Sequence, residues 1–361
     1  MNAFKEKGET LNVSLPLFDT CNLGCLFCYE NHGRIPLTKE RFVWAREDIR
    51  SQLLPRIQED GYKTVFIRFY GGEIFFDRQP DWIYDKYISL IKDIRKIIPV
   101  KVKTKFITNG VFTRHDRADR VLKETDSVIG MSYDIAGRYH TAEQRNLFEK
   151  SMQHFYQIGK LVELSTLLTK PAIEAIIHGD SFFDSIPDDV RIDVCGYMPN
   201  RNWKQFMPEA EDYAKFYRWA IDNKRFNIDR ITNMVRYMMP EEQNFVERFC
   251  DCDDTLTYIP AERRFSPECI ERRDFQDSCY GKLKATVNDE NCFEVKTNLM
   301  MNKMGCLYCE HFQKCPMQCA ANVLFDQYTQ NECPLAKTFA SITEEDIQNL
   351  KKWREQHAQN A

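Results

Sequence analysis

Six short runs rich in β-branched and aromatic residues, each followed by a stretch with helical spacing, set the strongest limit on how this 361-residue chain folds. Residues 11–18, 64–70, 102–107, 127–133, 161–168 and 190–196 read as strands, and 82–98, 116–124, 147–158 and 172–186 as helices between them. Thr38 opens a further helix through Glu59, with Phe42, Ala45, Ile49, Leu53 and Ile57 on one face and a kink at Pro55. Strands that alternate with helices give a parallel α/β architecture. In a barrel of that kind the chemistry sits at the C-terminal strand ends. Gly71-Gly72-Glu73, Thr108-Asn109-Gly110 and Asp134 fall at such ends, and so does a loop of three cysteines after the first strand.

That loop, Cys21-Asn22-Leu23-Gly24-Cys25-Leu26-Phe27-Cys28, can place three thiolates around one centre. Three is one short of a closed zinc site and one short of a fully protein-ligated cubane cluster, which leaves an open metal position. Fourteen cysteines in all, most of the rest beyond residue 250, put candidate metal sites at both ends of the chain. No signal peptide and no membrane-length apolar run is present, so a cytoplasmic location with reduced thiols is expected. A net charge of −4 gives no general attraction to nucleic acid or to an anionic membrane. Cys306, Cys309, Cys315, Cys319 and Cys333 lie within 28 residues, a metal-binding density that a zinc ribbon or an iron–sulfur site would use. Cys250 and Cys252 are read as two buried thiols or as lent cluster ligands.

The C-x3-C-x2-C spacing followed by Tyr29, with Gly71-Gly72-Glu73 after the second strand, resembles the radical S-adenosylmethionine (radical SAM) enzymes. The resemblance implies a partial (β/α)6 TIM-type barrel over 9–200, in which Cys21, Cys25 and Cys28 hold a [4Fe–4S] cluster and SAM chelates the fourth iron. Reductive cleavage of SAM would then give a 5′-deoxyadenosyl radical that abstracts a substrate hydrogen. By the same resemblance the two glycines approach the methionine moiety, Glu73 accepts from its ammonium, and Phe27 lies against the adenine. Ser132 and Arg145, the latter just ahead of a helix, would hold the ribose and carboxylate; Asn109 and Asp134 face cofactor or substrate.

The cysteine-rich end is similar to the SPASM extension of that family, which implies one or two auxiliary [4Fe–4S] clusters in residues 269–340. Cys306, Cys309, Cys315 and Cys333 would ligate the outer one; Cys319, Cys279, Cys292 and Cys269 are candidates for the inner one. Thr297 stands where a further cysteine is expected, so the inner set is incomplete or draws on Cys250 or Cys252. Residues 201–268 read as a helical connector, and 341–361 as a terminal helix opened by a Ser341-x-x-Glu344 capping box. The implied function is oxidation or crosslinking of a peptide or protein side chain, as in ribosomal-peptide maturation, with a flavodoxin or ferredoxin as reductant. Formylglycine formation of the sulfatase-maturase type, a small-molecule radical SAM dehydrogenase and a zinc-binding scaffold are the alternatives. Twenty residues precede Cys21, so recognition is expected through the barrel and SPASM surfaces, through a detached partner, or of something small.

Overall fold

The structure is a computed structural model that describes residues 9–28, 35–179, 183, 185–197, 204–239, 255–267, 306–311 and 333–357. It divides into two compact units: residues 1–132, 139–162 and 251–274 in the first, 133–138, 163–250 and 275–361 in the second. The stretch expected as one barrel, 9–200, thus contributes to both.

In the first unit, β1 (Thr10–Pro16), β2 (Thr64–Tyr70), β3 (Lys101–Thr108) and β4 (Val128–Ser132) pair in parallel, in chain order. Parallel neighbours need a crossover, and helices supply it. The first comprises α1 (Lys39–Asp48), a π-helical segment at Ile49–Leu53 and α2 (Leu54–Asp60). The expected kink at Pro55 takes this form: the proline sits in the first turn of α2, where its missing N–H costs nothing, and the wide π turn ahead of it absorbs the break. α3 (Trp82–Ile97) and α4 (His115–Glu124) follow β2 and β3. α5 spans Ala142–Gln157, five residues longer at its start than the apolar pattern suggested, because the Thr141 hydroxyl accepts from the Gln144 N–H at 3.2 Å and caps it there.

One face of these strands and the facing side of α3 make the core. Leu11, Val13, Leu15, Val65, Ile67, Phe69 and Phe106 are fully buried, as are Tyr87, Ile91 and Ile94 of α3. Phe69 stacks on Phe106 at 5.0 Å, while Tyr87 meets Phe69, Phe106 and Phe42 edge-on at 5.3, 5.4 and 5.0 Å. Each such pair adds roughly 0.5–1.5 kcal/mol beyond its buried area. The packing clamps α3 to β2 and β3, and so fixes where their C-terminal ends emerge.

Residues 255–267 depart from the expected helical connector. β7 (Thr255–Ile259) joins β1 in parallel, with Val13 opposite Leu256, and β8 (Arg264–Pro267) returns antiparallel to β7. Buried Asp48 at the end of α1 accepts from the Tyr258 hydroxyl at 2.6 Å and from the Arg263 guanidinium at 2.8 and 3.2 Å. Arg263 adopts φ +51 in the turn between the strands. Burial, then the Asp48 carboxylate, pushes the Tyr258 hydroxyl pKa far above its ordinary value, so it stays a donor at any physiological pH.

In the second unit, β5 (Leu161–Leu168, which begins in the first) pairs in parallel with β6 (Arg191–Gly196). α6 (Lys170–Ile177), α7 (Ala210–Asp222), α8 (Asp229–Tyr237), α9 (Pro334–Ser341) and α10 (Glu344–His357) complete its described helices. The expected cap at Ser341 is displaced. Ser341 ends α9, and Thr343 with Asp346 forms the reciprocal pair, the Asp346 N–H donating to the Thr343 hydroxyl at 3.3 Å and the Thr343 N–H to the Asp346 carboxylate at 2.8 Å. Arg218 of α7 ties both helices by donating to Asp346 at 3.0 and 3.1 Å and to the Ser341 carbonyl at 2.9 Å. No described helix is long and apolar enough to cross a membrane.

The Asp48 contact carries a stability test. Tyr258→Phe removes one hydrogen bond and should cost about 1 kcal/mol, whereas Asp48→Ala takes the acceptor from a buried hydroxyl and one of two carboxylates from the Arg263 guanidinium, and should cost about 2–3 kcal/mol. Chemical denaturation reads both; an Asp48→Ala variant as stable as the parent would show that this contact does not hold the added strands.

Candidate active site

The cysteine loop is laced to the turn after β2 by backbone. The Gly72 N–H donates to the Phe18 carbonyl at 2.9 Å and the Glu73 N–H to the Thr20 carbonyl at 2.8 Å. A methyl group on Gly71 would stand 2.2 Å from the Phe18 oxygen, and one on Gly72 1.9 Å from the Thr20 oxygen. Gly71 also takes φ +132, a region that favours glycine. The two glycines therefore serve contact between two stretches of this chain. At the base of the loop, Asp19 and Ile35 exchange hydrogen bonds: the Asp19 N–H donates to the Ile35 carbonyl at 3.2 Å, and the Ile35 N–H to the Asp19 carboxylate at 3.0 Å. Leu23 and Phe27 are buried and anchor the loop, while Cys21, Cys25 and Cys28 are half-buried.

Glu73 is 1 % exposed, and its carboxylate is the hub of the site. One oxygen accepts from the Phe75 N–H at 2.9 Å and the Thr108 hydroxyl at 2.6 Å; the other accepts from the Asn109 N–H at 2.6 Å. The turn after β3 is held in its own way. Gly110 takes φ +71, and a side chain there would meet the Met131 methyl at 2.3 Å and Phe148 at 3.0 Å.

Asn109 completes the link. Its amide nitrogen lies 3.7 Å from the Cys21 sulfur and donates to the Asn22 side-chain oxygen Oδ1 at 2.8 Å; its oxygen accepts from the Val111 N–H at 2.8 Å. Asn22 in turn donates to the Val111 carbonyl at 2.6 Å. Burial, opposed by the Leu23 N–H and reinforced by Glu73, Cys25 and Cys28, raises the Cys21 thiol to about 11. At neutral pH the free thiol is protonated, and a metal centre that binds it must displace that proton.

Other expected residues fall as follows. Ser132 ends β4, and its carbonyl accepts from the Tyr139 hydroxyl at 3.4 Å. Arg145 lies inside the first turn of α5 rather than ahead of it, ion-paired to Glu149 at 3.0 Å. In the second unit Asp134 is buried, bonded by the Leu167 N–H at 2.7 Å and Arg138 at 2.6 Å; burial outweighs Arg138 and pushes its carboxyl up. Cys306, Cys309 and Cys333 are half-buried and near enough to interact: burial first, then Cys333 and Cys309, raise the Cys306 thiol to about 11. Cys250, Cys252, Cys269, Cys279, Cys292, Cys315 and Cys319, with Tyr29 and Thr297, lie outside the described residues. Among the described residues no three His, Cys, Asp or Glu side chains converge on the position of a single metal ion. Sequence reasoning missed His140, whose ring nitrogen meets the Gly24 carbonyl at 3.1 Å from 116 positions away, and it gave Asn22 no role beyond spacing.

No family model and no curated protein matches the sequence. Solved structures do match. Native anSMEcpe with bound AdoMet aligns over 97 % of this chain and 98 % of that one, at 13 % identity and a TM-score of 0.56. Streptococcus suis SuiB bound to precursor peptide SuiA aligns over 90 % of this chain and 76 % of that one, at 16 % identity and a TM-score of 0.52. The fold is the radical SAM fold. Its cysteine loop suits the cluster that this fold implies: three thiols on one loop, half-buried, with an amide and a backbone N–H directed at the first of them.

The lacing predicts that Gly72→Ala, which drives a methyl into the Thr20 carbonyl, destabilises the protein by about 2–3 kcal/mol. It should also release Glu73 from the loop, read as faster hydrogen exchange at the Glu73 and Asn109 amides. Unchanged exchange would mean that the turn tolerates the side chain.

Proposed function

We propose that this protein is a radical SAM enzyme that acts on a peptide or protein side chain, with oxidation or crosslinking as the outcome. The observation that carries the reading is the convergence of three strand-end loops, in which Asn109 touches Glu73 through its backbone and Cys21 through its side chain. Cys21, Cys25 and Cys28 would hold a [4Fe–4S] cluster. Glu73, in the turn after β2, would accept from the ammonium of SAM, and Ser132 and Arg145 would contact its ribose and carboxylate. Phe27, buried in the same loop, would back the adenine. When bound, cluster and SAM together supply a 5′-deoxyadenosyl radical able to abstract hydrogen from an unactivated carbon. The chain's part is to seat them and to keep the site dry, which the buried hub at Glu73 supports.

The gathering of Cys306, Cys309 and Cys333 supports an auxiliary cluster, completed by Cys315, with an inner one drawing on Cys319, Cys279, Cys292 and Cys269. Cys306, Cys309, Cys315 and Cys333 would hold a centre able to accept an electron, chemistry that suits a two-electron oxidation of the substrate. A peptide substrate is favoured by the precursor peptide bound to SuiB, and a flavodoxin or ferredoxin would supply the reducing electron.

Anaerobic protein reconstituted with iron and sulfide should be brown and yield 5′-deoxyadenosine from SAM with a strong reductant. The triple variant Cys21→Ala, Cys25→Ala, Cys28→Ala should lose that cleavage while keeping its auxiliary iron. A colourless zinc protein, or a triple variant that still cleaves SAM, overturns the reading.

A further inference from the structure

The orientation of the two amides beside Cys21 follows from their backbone partners. The Val111 N–H can only donate, so the atom of Asn109 that meets it at 2.8 Å is the oxygen, and the nitrogen faces Cys21 and Asn22. The Val111 carbonyl can only accept, so the Asn22 nitrogen meets it at 2.6 Å and the Asn22 oxygen faces Asn109. One residue's N–H and C=O thus set both amides. Asn109 has two amide hydrogens: one goes to Asn22 at 2.8 Å, and the other is directed at the Cys21 sulfur, 3.7 Å from the nitrogen. The Leu23 N–H approaches the same sulfur at 3.5 Å. Asn109 is 6 % exposed, so little water competes for that contact.

We propose that Asn109, locked by Asn22 and Val111, is a positioning residue that donates a hydrogen bond to Cys21 and raises the reduction potential of the cluster this cysteine would hold. The proposal rests on the radical SAM reading above. Reduction adds negative charge that spreads onto the ligating sulfurs. A donor aimed at one of them stabilises the reduced form more than the oxidised one and so raises the potential. The Asn109 hydrogen bond falls on Cys21, the cysteine adjoining the turn that carries Glu73. The backbone N–H of Asn109 holds Glu73 at the same time, so one residue couples the electron-accepting centre to the expected ammonium clamp. Side-chain substitutions leave that backbone bond in place, which separates the two roles.

The test is a redox titration of the reconstituted protein followed by electron paramagnetic resonance, with Cys306→Ala, Cys309→Ala in the background to simplify the auxiliary signals. Asn109→Ala should shift the midpoint of the SAM-binding cluster to a more negative potential. Asn109→Asp, which replaces the donor by a negative charge, should shift it further. Asn22→Ala, which frees the Asn109 amide without removing it, should shift it less, and it reads the effect even if Asn109→Ala fails to retain its cluster. An exchangeable-proton coupling to the reduced cluster, seen by electron–nuclear double resonance, should weaken in Asn109→Ala. Potentials equal to the parent in both Asn109→Asp and Asn22→Ala, at full iron content, would overturn the proposal while leaving the enzyme assignment intact. Failure of the parent to form any cluster on Cys21, Cys25 and Cys28 would instead remove the functional reading itself.

Discussion

The pair of backbone hydrogen bonds from Gly72 and Glu73 to the carbonyls of Phe18 and Thr20 is the constraint on which the rest of the site depends. It brings the turn after β2 so close to the cysteine loop that neither glycine position can carry a side chain. Once that contact exists, the Glu73 carboxylate is committed to a buried position and must be satisfied there. Phe75, Thr108 and Asn109 supply the donors. A buried carboxyl group without hydrogen-bond donors would carry a large desolvation cost.

The lacing rests on strands that are held by the core. Phe69, Phe106, Tyr87 and Phe42 pack as one aromatic cluster against α3, so the C-terminal ends of β2 and β3 are placed by core packing rather than by the loops. β1 is held from both sides, by β2 and by β7, and β7 is itself pinned through Asp48, Tyr258 and Arg263. Rigid strands carrying short laced loops are what a reactive site requires, since small displacements of the reacting groups are expensive.

Much of this was legible beforehand, and the reasons are local. Each strand of the parallel set is a compact apolar run, and each crossover helix has an apolar stripe, so β1 to β6 and their helices followed from periodicity. Three cysteines in eight residues marked the loop as a candidate metal site, because that spacing brings thiols close together. The misses were long-range. The strands at 255–267 look unremarkable in sequence, and only the edge of β1, together with Asp48 more than two hundred positions away, makes them strands. The start of α5 was misjudged because a cap, Thr141, outranked the apolar pattern, and the same competition moved the cap of α10 to Thr343.

The amino-acid sequence by itself determined the alternation of strand and helix and the presence of the thiol loop, the Gly-Gly-Glu turn and the Thr-Asn-Gly turn, since these are properties of neighbouring residues. Tertiary structure decided what those pieces do to one another. That the glycines serve contact between two loops, that Glu73 is a buried hub, and that Asn109 turns its amide toward Cys21 all depend on atoms brought together from 35 to 89 positions apart. Periodicity and spacing carry no information about such contacts. They arise only when the core has fixed the strand ends and left the loops no other place to satisfy their hydrogen bonds.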